Sequence, residues 1–276
     1  MERIYHRLNN AVKKFAAAGI ATQLDFHKLY LYSIITHSTA IEGSTLSEAE
    51  NALMFDEGIV PGGHNLIEQM MNLDLKRAYD YIQALPKKKQ VIDANFLKKI
   101  SSLVMRNTGG IYNTAVGTFD SSAGDFRLLN VSAGRGGKSY LSYQKIGQHI
   151  NDFCAWLNAA RHKKFPAAAS AYAFSFEAHY RLVTIHPWAD GNGRVGRLLM
   201  NMLQWENDLL PSILRREDKA KYIETLAKSQ EVHDSTAFIE FMTESMINFM
   251  EKCVTENQND ECWGRCPQTP ARGATP

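Results

Sequence analysis

The chain has 276 residues, 45% of them hydrophobic, and a formal net charge of +2. That is enough to bury a sizeable core, and too evenly charged for a dedicated nucleic-acid surface. There is no apolar run of ~18 residues and no signal-peptide core after Met1, so the expectation is a cytoplasmic enzyme without a nucleic-acid or membrane partner.

Taken in order, apolar residues three and four apart predict helices over Ile4 to Phe15, His27 to Ile35, Leu66 to Ile82 and Phe96 to Val104. The pattern continues over Ile146 to Leu157, Tyr172 to Ile185, Val195 to Trp205, Tyr222 to Leu226 and Phe238 to Met250. Ser47-Glu-Ala-Glu50 has the Ser-x-x-Glu spacing of a capping box, which starts a further helix running to Phe55, and Gly58 and Pro61-Gly62-Gly63 end it. Between Gly109 and Tyr143 the pattern breaks. Two extended candidates, Phe126 to Val131 and Ser139 to Tyr143, flank the glycine-rich Ser132 to Lys138 and predict a β-hairpin. Gly137-Lys138-Ser139 imitates the end of a P-loop, but Ser132 stands where its first glycine belongs and no helix pattern follows. The class is therefore all-α with one short hairpin. The chain divides into an N-terminal helical region (1–90), a core (91–252) and a flexible tail (253–276). Cys262 and Cys266 lack the second pair or nearby histidine of a metal site and are read as free thiols of that tail.

Polar chemistry concentrates in His186-Pro-Trp-Ala-Asp-Gly-Asn-Gly-Arg-Val-Gly-Arg197, between two helix patterns. A Gly-Asn-Gly turn feeding a helix presents unpaired N–H groups and the positive end of the helix dipole, an anion-binding arrangement. Arg194 and Arg197 project from roughly one face of the new helix, and phosphate is the natural occupant. Asp190 is one carboxylate beside that turn, which suits a Mg²⁺ held mostly by water and substrate phosphates. His186 can accept a proton near neutrality, so the segment fits attack by a hydroxyl on phosphorus. Trp188 is read as a core anchor for the loop.

This segment resembles the motif of the Fic family, His-Pro-Phe-x-(Asp/Glu)-Gly-Asn-Gly-Arg-x-x-Arg, with every polar position in place and Trp188 standing for the usual Phe. The resemblance implies a Fic fold, a multi-helix core with one hairpin called the flap. It also implies transfer of AMP from ATP, with Mg²⁺, onto a Ser, Thr or Tyr hydroxyl of a target protein whose identity the sequence does not give. His186 would be the general base and Asp190 the metal ligand. Gly191, Asn192 and Gly193 would form the anion hole, and Arg194 and Arg197 would hold the β- and γ-phosphates. Tyr222 would border the adenine pocket. Gly124-x-Phe126-Arg127 resembles the start of the flap, which would dock the target by main-chain pairing. The basic loop Gly134 to Lys138 would lie at its tip.

A second resemblance lies far upstream. Ser38-Thr-Ala-Ile-Glu42-Gly43 is similar to the family's inhibitory motif, (Ser/Thr)-x-x-x-Glu-(Gly/Asn). It implies that Glu42 pairs with Arg197 and keeps the enzyme off by occupying the cation meant for the γ-phosphate. The resemblance also allows auto-modification and a homodimer. Two other functions fit the same residues: removal of AMP, with Glu42 positioning a water, and a non-catalytic nucleotide-binding module.

Overall fold

The computed structural model describes residues 1–133 and 139–258. Among them are ten α-helices: α1 (Glu2–Ala17), α2 (Phe26–Ile41), α3 (Glu48–Asp56), α4 (Leu66–Ala84), α5 (Ala94–Val104), α6 (Ile146–Arg161), α7 (Ala168–Ile185), α8 (Asn192–Trp205), α9 (Lys219–Glu231) and α10 (Thr236–Gln258). One two-stranded antiparallel sheet, β1 (Ile111–Thr114) and β2 (Gly117–Asp120), pairs Tyr112 with Phe119.

Three of the helices, α3, α4 and α5, begin where short polar side chains satisfy orphan N–H groups. Ser47 caps α3 in a complete capping box with Glu50, as its spacing predicts, and Asn65 and Asp93 cap α4 and α5 by accepting from the Glu68 and Phe96 N–H groups. α7 and α8 pack side by side at the centre, with α1 and α10 packed together and against α7. A single apolar core runs from Leu8 through Tyr79, Phe176 and Leu199 to Cys253. It includes residues on both sides of position 90, so the N-terminal helices are not a separate body. Residues 253–258 of the expected tail belong to α10, which runs on to Gln258, and Cys253 is buried in the core. Cys262 and Cys266 lie outside the described residues.

The hairpin sits elsewhere than the sequence predicts. The paired strands are β1 and β2, joined across Ala115 and Val116 with Gly117 in a left-handed conformation (φ 140°). Of the expected 126–143 hairpin the described residues show one bridge, Ser132 with Ser139, and a backbone hydrogen bond from the Tyr140 N–H to the Val131 carbonyl. The physical reason is Arg127. Its guanidinium donates to the Leu129 carbonyl at 2.6 Å and the Leu141 carbonyl at 2.5 Å, so a side chain occupies acceptors that a strand ladder would use. Residues 134–138, the expected basic tip, lie outside the described residues.

Candidate active site

The motif forms the junction between α7 and α8. α7 ends at His186, whose backbone is left-handed (φ 53°, ψ 60°) while its N–H donates to the Leu182 carbonyl. A non-glycine residue in that region is uncommon and is held there by its surroundings. Arg127 supplies part of that hold: its Nε donates to the His186 carbonyl at 2.9 Å and its backbone N–H to the Pro187 carbonyl at 3.0 Å. Trp188 is fully buried, as expected, and its indole N–H donates to the Gly124 carbonyl at 3.0 Å. The Asn192 side chain closes the loop by accepting from the Trp188 N–H (3.0 Å) and donating to the Trp188 carbonyl (2.9 Å). It is spent on the loop's shape, so any contribution of Asn192 to an anion comes from its backbone N–H.

α8 then begins after Gly191 (φ 82°) without a side-chain cap; the Gly191 N–H donates to Asp190 Oδ1 at 2.6 Å, which leaves the Asn192 and Gly193 N–H groups to face an anion. Arg194 lies beside them and is buried. Its Nη2 reaches an Asp190 carboxylate oxygen at 3.1 Å and the Met105 sulfur at 3.3 Å. Its Nε and Nη1 are buried with no hydrogen-bond partner. Two orphaned donors on a buried cation are costly unless an anion supplies their acceptors. Asp190 itself is 61% exposed. Among the described residues no cluster of three metal-binding side chains exists. A single solvent-exposed carboxylate, its oxygens accepting from the Gly191 N–H and Arg194, would nonetheless fit Mg²⁺, which completes its shell with water and substrate oxygens.

Burial and then the Arg127 charge push the His186 imidazole down to about 4. It hydrogen-bonds the Val183 backbone, a contact that favours its protonated form and therefore has the ring donating, which leaves the other ring nitrogen as acceptor.

Arg197 is buried and turned toward α2. Its Nε donates to the Ser38 hydroxyl (2.8 Å), and its Nη2 donates to the Ser38 carbonyl (2.9 Å) and to Glu42 Oε1 (2.6 Å). Burial opposes ionisation of Glu42, but the charge and hydrogen bond of Arg197 outweigh it and hold the carboxyl below its ordinary value. Glu42 caps the C-terminus of α2, where a negative charge is unfavourable to the helix dipole, and it lies at the N-terminus of α8, where one is favourable. The approach is close: a Cβ on Gly193 would meet Glu42 Oε1 at 2.6 Å and Arg197 Nη1 at 2.9 Å. A buried network fixes this end of α2. Thr39 donates to Asn72 (2.7 Å), Asn51 to Thr36 (2.7 Å), and Asn72 to Ser44 (2.9 Å).

The structure places three further predicted positions. Tyr222 is buried beside Arg197, and its hydroxyl lies 2.9 Å from His179 Nε2. Burial and then the Arg197 charge push His179 down to about 3, so it stays neutral behind Arg197. Arg127 is 1% exposed and turned inward onto carbonyls, away from any docking target. Phe126 packs against Trp188, ring centroids 5.8 Å apart. Sequence reasoning missed Tyr140, whose ring stacks on His186; a tyrosine outside the motif gives no sequence signal for that contact.

The fold is that of Fic-domain structures, and the Fic/DOC family model matches residues 91–204 of the chain. The chain is 29% identical over 211 residues to a protein adenylyltransferase Fic of Aedes aegypti, covering 76% of this chain and 39% of that protein, so the chain spans about two fifths of that relative's length. Among solved structures it resembles a fragment of Fic-1 from C. elegans (TM-score 0.71, 21% identity, 94% of this chain and 73% of that one). A Fic domain containing signaling protein from Bacteroides thetaiotaomicron is similar in fold (TM-score 0.74, 18% identity, 92% of this chain and 97% of that one). Among the described residues no helix is long and apolar enough to cross a membrane.

Proposed function

We propose that this chain transfers AMP from ATP to a hydroxyl side chain of a protein, and that Glu42 restrains it. The observation that carries this reading is the buried Arg194, with Nε and Nη1 unpartnered beside the uncapped start of α8. Polyphosphate oxygens would satisfy those donors, with Asn192 and Gly193 contributing backbone N–H groups and Gly191 doing so once its N–H leaves Asp190 Oδ1. The relatives' names, protein adenylyltransferase, agree with it.

In this reading His186, neutral in the resting site, accepts the proton of the target Ser, Thr or Tyr as its oxygen attacks the α-phosphorus. Arriving phosphates would raise its pKa from about 4 toward the working range, since nearby negative charge favours the imidazolium. The bond from the α-phosphorus to the bridging oxygen breaks, and pyrophosphate leaves against Arg194 and the α8 N-terminus, where charge develops. Asp190 would hold Mg²⁺, which when bound neutralises phosphate oxygens. Residues 128–133, beside the loop, would align the target by backbone pairing. Arg197 would bind the γ-phosphate once Glu42 is displaced, and the Ser38-to-Glu42 segment would be the inhibitory motif of a subclass with an N-terminal brake.

The test is labelling with α-³²P-ATP and Mg²⁺. Glu42→Gly should increase labelling of the chain or of lysate proteins on the order of tenfold or more, and His186→Asn in that background should abolish it. Nucleotide binding without label in any Glu42 variant would replace this reading with a binding module. The reverse reaction, AMP removal, is favoured by one observation: Glu42 is kept ionised at the anion site, where it could orient a water. AMP release by the unaltered chain, lost in Glu42→Gly, would establish it.

A further inference from the structure

The face of the candidate base is covered by a residue that belongs to no motif. The Tyr140 and His186 rings lie 3.7 Å apart with 15° between their planes. Tyr140 is held at its backbone, where its N–H donates to the Val131 carbonyl at 3.0 Å. The next carbonyl, Leu141, accepts from the same Arg127 guanidinium that binds the His186 carbonyl. One cation therefore fixes both partners of the stack.

The accepting lone pair of an imidazole lies in the ring plane, and rotation about χ2 is broad unless packing limits it. A ring against the face limits that rotation and leaves the lone pair open. The same geometry sets Tyr140's own hydroxyl outside the imidazole plane, so in this pose it is not the group His186 would deprotonate.

We propose that Tyr140 is a positioning residue for His186: its stacked ring sets the imidazole plane and keeps water off that face, so that a target hydroxyl meets the accepting nitrogen in line. This deepens the hydroxyl-modifying reading of the site and rests on it. Other groups act on His186 by charge or by a hydrogen bond at its edge. They are Arg127 before α6, Asp190 in the loop, Glu42 at the end of α2 and the Val183 backbone in α7. None of these covers the ring's face.

The test compares Tyr140→Ala with Tyr140→Phe in the full chain. Histidine-labelled protein is followed by NMR, with His186→Asn assigning the His186 resonances, and AMP transfer is measured in the Glu42→Gly background. Tyr140→Ala should abolish the ring-current shift of the His186 imidazole C–H protons and lower transfer about ten- to a hundredfold, the cost of a misoriented base. Tyr140→Phe keeps the ring and should keep the shift and most of the rate. Unmoved His186 resonances in Tyr140→Ala, or equal rates in the two variants, would overturn the proposal. If the Glu42→Gly chain transfers no AMP, the reading of the site fails, and the NMR comparison still decides whether Tyr140 sets the imidazole plane.

Discussion

Arg127 donates to the carbonyl of His186 while lying 1% exposed and, among the described residues, bonded to carbonyls and to no carboxylate, so a buried cation stands beside the candidate base. It stabilises the left-handed backbone at His186, and its charge helps to hold that imidazole near 4.

Arg127→Met should therefore act twice. Loss of donors to three carbonyls should cost about 3 kcal/mol in a urea melt. The His186 pKa should rise from about 4 toward the ordinary 6.5. Because the base works when neutral, the acid limb of the pH–rate profile should move to higher pH. A destabilised variant with an unmoved acid limb would show that the charge does not reach His186.

The Glu42–Arg197 pair predicts a pH signature. A carboxyl held below its ordinary value of 4.5 contributes stability that is present above that pH and is lost as pH falls through the folded value. Denaturant melts of the native chain and Glu42→Gln should differ above pH ~5 and converge in acid. A gap independent of pH would mean that the pair's charge contributes nothing.

Tyr222→Phe removes a hydroxyl shared by Arg197 and His179. Leaving the buried His179 nitrogen unpartnered should cost about 1–3 kcal/mol. If Tyr222 orients Arg197, the KM for ATP should rise in the Glu42→Gly background with a smaller change in kcat. A pure kcat loss would place Tyr222 in the chemistry instead.

Trp188→Phe would restore the aromatic usual in the family but would remove the indole donor from the Gly124 carbonyl and leave a void. A loss of about 1–3 kcal/mol by thermal melt is expected. Unchanged stability would show that the Gly124 segment follows the smaller ring inward.

The helices were legible because their apolar faces repeat at the helical period over long stretches, and the α3 capping box because its two partners are three residues apart. The motif was legible because its loop is contiguous. The strands were misplaced because β1 and β2 are four residues each, too short for alternation to stand out. Nothing local in the sequence reveals that the polar side chains of Arg127 and Tyr222 face inward. Their partners, the His186 carbonyl for Arg127 and His179 with Arg197 for Tyr222, are brought to them by the folded core. Glu42 was legible only because its pairing with Arg197 is written in two motifs.

The bare Cα of Gly193 lets Glu42 and Arg197 rest directly on the first turn of α8. An anion entering that turn, as proposed for the nucleotide, would compete with a carboxylate tethered to the same polypeptide, at an effective concentration set by the anchoring of α2 and not by how much protein is present. Dilution cannot relieve such a competitor. Relief must come from a stronger anion, or from whatever loosens the Thr39, Asn51 and Asn72 anchorage.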